Sequence, residues 1–397
     1  MSLVTAHGRQ VLKAERGECI ADLLHRYHIP WSAVSIYLAK EPGGEGVQSA
    51  CLDRVVSEMR DAAEVLLYFN RNVNPFLFSL QNFTSLESED PANKATEYFY
   101  QKLESAGSAA ETYLKVMSPE ECRRVIAERV GETICTHLPR GSRLVIGVSG
   151  GGDSNALLHG LSQIRDHDLS LHPVIIKGIP DWDLGVPRAQ QLCEQYGLSL
   201  TVIEEDEVKS LLGMRDPVSL VDRFEREFKG DDFEFLGTLL IRLALFRHAR
   251  SLGTGYVCTG LNLEDVLCEA LFRISSGMKP AGMPNRAIGD MNLLMPLWMC
   301  PKRIIDGCFP KLSRQNYDAR YPCFSLGRNL YYSVIYSLQS EYPGFIEQLA
   351  RGISQLAATN PVTYVMDEQL GFHVERFIPF PLRQRFKRML GEAVTAD

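Results

Sequence analysis

The segment that most restricts the fold is LVIGVSGGGDSNALL at 144–158: an apolar strand, a turn of three glycines, and a helix starting near Ser154. Gly150, Gly151 and Gly152 let successive backbone N–H groups turn inward at a helix N-terminus, where the macrodipole also favours an anion. With Ser149 before the glycines and Ser154 after Asp153, the turn is suited to holding phosphate. The Gly-Lys pair of the common nucleoside triphosphate loop occurs nowhere in the chain, and no dinucleotide-type Gly-x-Gly-x-x-Gly follows a strand. Asp153 sharpens the reading, because a carboxylate about 4 Å from a phosphate charge costs about 4 kcal/mol at an effective dielectric near 20. Magnesium bridging Asp153 and the phosphates offsets that charge, since it binds through one or two carboxylates plus phosphate oxygens. The alternative is a glycine turn capped by Asp and Ser for structural reasons alone.

Around this loop, residues 143–297 alternate apolar strands with helical patterns, which is how a parallel, doubly wound α/β sheet reads. Strands are expected at 143–149, 172–179, 199–205 and 255–261, with helices starting near Ser154, Val186, Phe233 and Leu263. Ligands of such sheets sit at the carboxyl ends of the strands. Before it, 10–40 reads as strand, helix, strand, resembling a small β-grasp element, and 51–68 carries apolar residues at helical spacing. Ser118 with Glu121 three residues on marks the start of a further amphipathic helix. The expected division is an N-terminal α+β domain over 1–115, a nucleotide-binding α/β domain over 116–300, and a mainly helical region over 301–397.

Composition excludes several classes. The 397 residues include 45% hydrophobic and 23% charged residues, an ordinary globular mixture, and no uncharged apolar run reaches membrane-spanning length. A cytoplasmic protein with no membrane partner is expected. The net charge of -7 is not that of a dedicated nucleic-acid binder, although Arg383, Arg385, Lys387 and Arg388 form a local basic run that either touches RNA backbone or is a solvated helix face. The ten cysteines are scattered and no pair has Cys-x-x-Cys spacing. Cys258 falls in a strand and Cys268 in a helix, where both are expected to be core.

The run Ser149-Gly-Gly-Gly-Asp-Ser154 is similar to the pyrophosphate loop of the N-type ATP pyrophosphatases, the PP-loop superfamily of adenine nucleotide α-hydrolase-like fold. The resemblance implies that ATP is cleaved to AMP and pyrophosphate and that AMP passes to a carbonyl-type oxygen, which a nucleophile then displaces. It also implies that adenine lies against the backbone of Ile176 and Lys177. The segment GLNLEDVLCE (260–269), with Arg273 beyond it, looks like the helix start of tRNA lysidine and tRNA 2-thiocytidine synthetases, with Leu261 and Asn262 where those enzymes carry histidines. On that likeness Gly260 and Asn262 belong to the nucleotide site and Asp265 joins Asp153 as a magnesium ligand. Read alone, Asn262, Glu264 and Asp265 equally form a helix cap. Arg273 reaches a phosphate or is an ordinary arginine. Segments 277–284 and 321–327 extend the likeness.

The resemblance breaks at the cysteines. The thiocytidine synthetases hold an iron–sulfur cluster with a Cys-x-x-Cys pair and a later Pro-Cys, whereas here Glu234 and Gly237 stand at the pair and only Cys323, after Pro322, survives. One thiolate does not hold such a cluster, so none is expected. Cys323 is either a catalytic thiol carrying a persulfide or covalent adduct, or a buried inert one. The expected enzyme uses ATP and magnesium to adenylate an acceptor, either a tRNA base or a small molecule, with a sulfur donor or a second copy of the chain as further partners. A nucleotide-binding protein without catalysis is the remaining alternative.

Overall fold

The computed structural model describes residues 2–5, 8–42, 46–49, 51–59, 62–69, 96–102, 111–178, 183–214, 218–228, 241–309, 326–368, 371–376 and 380–390. The expected helix at Phe233, together with Glu234, Gly237 and Cys323, lies outside them.

The N-terminal unit runs β1 (Ser2–Thr5), β2 (Gly8–Val11), α1 (Ile20–Arg26), β3 (Val34–Ala39), β4 (Gly46–Gln48) and β5 (Glu64–Phe69). Its sheet order is β2-β1-β5-β3-β4, with β1 and β5 parallel and the other neighbours antiparallel. This is the β-grasp arrangement that the first residues suggested. The helix expected over 51–68 is not there: the segment ends in β5. Leu67 enters the main core while Leu66 packs with Tyr37 and Ala39 on the opposite face. A strand buried on both faces shows no alternation, so its apolar run mimics helical spacing.

A hairpin of β6 (Thr96–Lys102) and β7 (Glu111–Met117) leads into α2 (Pro119–His137), whose Ser118–Glu121 capping box forms as expected. The α/β domain follows as β8 (Arg143–Gly147), α3 (Gly152–Ser162), β9 (Ser170–Ile176), α4 (Val186–Gln195), β10 (Thr201–Ile203), α5 (Glu205–Leu211), α6 (Leu220–Glu227), α7 (Phe246–Ser251), β11 (Tyr256–Thr259) and α8 (Leu263–Ser275). Two strands not read from the sequence, β12 (Asn285–Ile288) and β13 (Met291–Leu294), complete a sheet of order β10-β9-β8-β11-β13-β12. All its pairings are parallel except β12 with β13. From β8 the chain first builds outward through β9 and β10, then returns to β11 on the other side. The crevice of this doubly wound fold therefore opens at the carboxyl ends of β8 and β11.

The C-terminal region holds α9 (Lys302–Cys308), α10 (Leu326–Glu341), α11 (Phe345–Thr359), a β14 (Tyr364–Asp367) and β15 (Phe372–Glu375) hairpin, and α12 (Phe380–Leu390). Helix α9 is the joint of the molecule, packing on α2, α3, β3 and β6. One apolar core runs from Leu12 and Ile36 of the N-terminal unit through Ile146 and Leu157 to Ile304 and Tyr336.

Candidate nucleotide site at the β8 and β11 crevice

The glycine turn adopts the form its sequence requires. Gly150 has φ +75°, and a Cβ there would come within 2.6 Å of the Ala189 amide nitrogen and 2.9 Å of the Gly185 carbonyl oxygen. Only glycine fits both the left-handed backbone and the approach of α4. The Ser149 N–H donates to Ser154 Oγ at 2.9 Å, and the two hydroxyls lie 3.1 Å apart, closing the turn. Gly151 is the N-cap of α3 and supplies no side-chain acceptor, so no cap competes with an anion for the first-turn amides.

Asp153 stands at this helix start and gathers the site. Asn262 Nδ2 donates to its Oδ1 at 3.2 Å, and Lys302 Nζ lies 3.1 and 3.2 Å from its two oxygens. Gly260, just after β11, lies against Asp153: a Cβ there would stand 3.4 Å from the Asp153 backbone, an ordinary contact distance. Thr259, at the same strand end and in register with Gly147, has a buried Oγ1 with no hydrogen-bond partner, the kind of orphan that a bound polar group or water satisfies. Ile176 and Lys177 stand at the carboxyl end of β9. The Lys177 amide donates to Ile203 O at 2.9 Å, and its ammonium, 2.6 Å from Glu204, is held above its usual pKa by that carboxylate.

The acidic pair of α8 faces elsewhere. Asn262 and Asp265 form a reciprocal capping box, and Asp265 Oδ1 accepts from the Tyr332 hydroxyl at 2.6 Å. Glu264 accepts the Lys302 backbone N–H at 2.9 and 3.2 Å and so caps α9. The oxygens of Asp265, expected as a magnesium ligand, are thus engaged by the cap and by Tyr332, and the carboxylate over the loop is Asp153. Magnesium held by that one carboxylate and by phosphate oxygens fits this geometry. Among the described residues no group of three or more His, Cys, Asp or Glu is arranged to hold a metal ion, so they offer neither a protein-only magnesium site nor a thiolate set for an iron–sulfur cluster.

Arg273 stands away from the loop. It lies in the last turn of α8, roughly 16 Å along the axis from Asn262. Its guanidinium makes a two-pronged contact with Glu375 at 2.6 and 3.0 Å and donates to Lys279 O, tying α8 to the β14–β15 hairpin. A cation that sequence reasoning missed stands at the loop instead. Lys302 is buried, with a side chain 2% exposed, and its ammonium reaches Asp153. It sits in no motif, and only the fold brings it there. Cys258 and Cys268 are buried core residues, as expected. Burial also pushes the thiols of Cys193 and Cys300 up, to about 11 and about 12, and raises those of Cys258 and Cys308 well above the ordinary thiol value.

No protein-family model matches the chain. It is similar to the cytoplasmic tRNA 2-thiolation protein 1 of Saccharomyces cerevisiae, 28% identical over 153 residues, covering 35% of this chain and 38% of that protein. The Malassezia globosa protein of the same name is 32% identical over 145 residues, 36% of its length. The chain therefore spans little more than a third of these relatives. A tRNA-cytidine(32) 2-sulfurtransferase from Erwinia tasmaniensis is 23% identical over 227 residues, half of this chain and 70% of that one. Among solved structures, the U34-tRNA thiolase NcsA from Methanococcus maripaludis with its [4Fe-4S] cluster aligns with 18% identity and TM-score 0.49 over 60% of this chain and 80% of that chain. An NH3-dependent NAD synthetase from Campylobacter jejuni aligns with 15% identity and TM-score 0.35.

Proposed function

We propose, on the premise that the chain is a PP-loop protein related to the superfamily's tRNA-thiolating branch, that it cleaves ATP to AMP and pyrophosphate and activates a carbonyl oxygen of a tRNA base for replacement by sulfur. The observation that carries this reading is the uncapped start of α3 behind the Gly150 turn, with Asp153 beside it at the crevice between β8 and β11.

In this reading the amides of 150–154 hold the β- and γ-phosphates, which become the leaving pyrophosphate. Ile176 and Lys177 flank the adenine, and the acceptor oxygen attacks the α-phosphorus from the open side of the crevice. Asp153 would hold a magnesium ion, which would supply charge neutralisation at the phosphates. The chain's part is positioning and charge, so no strong base is required of it. Asn262 fixes the Asp153 carboxylate. The outer sulfur of a persulfide, on our nominated carrier Cys323 or on a separate donor, then displaces AMP from the activated carbon, and a thiol reductant cleaves the resulting S–S bond to leave the thiocarbonyl.

Product analysis tests the scheme. With labelled ATP, magnesium and tRNA, the wild-type protein should yield AMP and pyrophosphate, and Asp153→Asn should lower the rate by at least a hundredfold with the fold retained. ADP as product, or an Asp153→Asn protein as active as wild type, would remove the loop assignment.

A further inference from the structure

We propose that Tyr332 of α10 is a positioning residue of this site, setting the direction of the Asp153 carboxylate through Asp265 and Asn262; the role rests on the adenylation reading above and deepens it. Tyr332 is buried, and its hydroxyl donates to Asp265 Oδ1 at 2.6 Å. The other oxygen of Asp265 accepts the Asn262 N–H at 3.1 Å, and the Asp265 N–H donates to Asn262 Oδ1 at 3.1 Å. That last bond decides which way the Asn262 amide faces. Its oxygen is turned to its own helix, and its Nδ2 is left to donate to Asp153 Oδ1 at 3.2 Å. Hydrogen bonds in series therefore run from α10 to the carboxylate over the loop.

The phenol goes beyond what a helix start requires. A capping box is complete with the two bonds between Asn262 and Asp265. Tyr332 adds a charge-assisted bond to the same carboxylate, roughly twice as strong as a neutral one. It also reaches Asp265 from a helix that is fixed independently of the cap. Ser32 Oγ of the β-grasp unit donates to Tyr336 O at 2.9 Å, Trp31 Nε1 donates to Ser340 O at 3.2 Å, and the Tyr331 hydroxyl meets Ser275 Oγ at the far end of α8. Held from outside α8, the Asp265 carboxylate keeps one orientation, and the Asn262 amide keeps it in turn. Catalysis by positioning is sensitive to such a constraint, because a displacement of about 1 Å costs about a hundredfold in rate.

Tyr332→Phe removes the hydroxyl and keeps the ring. In pyrophosphate release from ATP and magnesium with tRNA, kcat should fall at least tenfold, while KM for ATP and adenosine affinity stay within about threefold. The readout that a simple tie between helices would not move is a double-mutant cycle. If the hydroxyl acts through the Asn262 amide, Tyr332→Phe should cost less than about twofold once Asn262 is already alanine. An equal loss in both backgrounds would overturn the proposal, as would full kcat in Tyr332→Phe or adenosine affinity falling in step with kcat. Ser275→Ala supplies a measurement that does not depend on Tyr332→Phe folding. It cuts the other contact of α10 with α8 and should leave kcat within about twofold; a tenfold loss there would mean that docking of α10, not the Tyr332 hydroxyl, is what matters, and would overturn the assignment. A wild-type protein that releases no pyrophosphate would overturn the adenylation reading and this role with it.

Discussion

Asp153 and Gly150 divide the work of the loop, and their substitutions should fail differently. Gly150→Ala places a methyl 2.6 Å from the Ala189 amide in a left-handed backbone, which should cost about 1–3 kcal/mol of stability and abolish nucleotide binding. Asp153→Asn should keep the turn but remove turnover, with stability lowered because the buried Lys302 ammonium is left with Asp306 as its carboxylate partner. ATP binding, turnover and urea unfolding of both variants check the contrast, and a Gly150→Ala protein with full ATP affinity would contradict the account of the turn. The thiols make a second expectation. Burial keeps Cys193, Cys258, Cys300 and Cys308 protonated near neutrality, so brief alkylation of the native protein should mark the exposed Cys135 and spare those four. Modification of Cys258 or Cys300 without unfolding would show that these sites open. The residues of the turn were legible because one contiguous string dictates strand, nest and helix. Lys302 was not, because it reaches Asp153 from 149 positions away in a stretch that reads only as a helix start. For Asp265 and Arg273 the sequence left two readings open, and the structure engages their side chains in a local cap and with a distant hairpin.

Helix α9 joins the candidate site to the β-grasp unit, with Lys302 facing the loop and Arg303 facing Trp31 and Val34. Arg303→Ala leaves two carbonyls in a buried seam without their donor, and hydrogen bonds to a charged group are worth about 1.5–3 kcal/mol each. We expect that variant to lose about 3 kcal/mol by urea denaturation and to weaken ATP binding as α9 shifts. Unchanged stability would mean that the seam repacks freely. Helix α3 offers a parallel case: a Cβ on Gly160 would fall 2.6 Å from the Val130 side chain, so Gly160→Ala should part α3 from α2 and destabilise by about 1–3 kcal/mol. Boundaries of β8, β11, α4 and α8 were readable within a few residues because their apolar runs end at glycines and caps. β5 was read as helix because both its faces are buried, and β12 with β13 escaped notice because two short strands after Pro284 carry little periodicity of their own.

Paired carboxylates and half-buried histidines set the response of the chain to acid. Arg26 holds Glu18, and Arg250 holds Asp290, below the usual carboxylate range. Burial lowers His159 and His248 from the ordinary 6.5. In each case the folded state binds protons less readily than the unfolded chain, so the stabilisation is present above the unfolded pKa and is lost as pH falls through the folded one. Thermal stability should therefore decline as pH drops below about 6.5 for the histidines and further through the carboxylate range. A midpoint that rises on acidification would contradict this. The parallel doubly wound class, though not its strand order, was legible from the alternation of strands and helices over 143–297, and the β-grasp element only as strand, helix, strand, since pairing β1 with β5 joins residues far apart in sequence. The acceptor is the part of the account furthest from the sequence, because the matched relatives share little more than a third of their length with this chain. The most direct measurement is pyrophosphate release from ATP and magnesium by the purified protein, with total tRNA and a small-metabolite extract supplied separately. The account predicts release stimulated by tRNA and abolished in Asp153→Asn; release with the metabolite extract alone, or none with either, would contradict it.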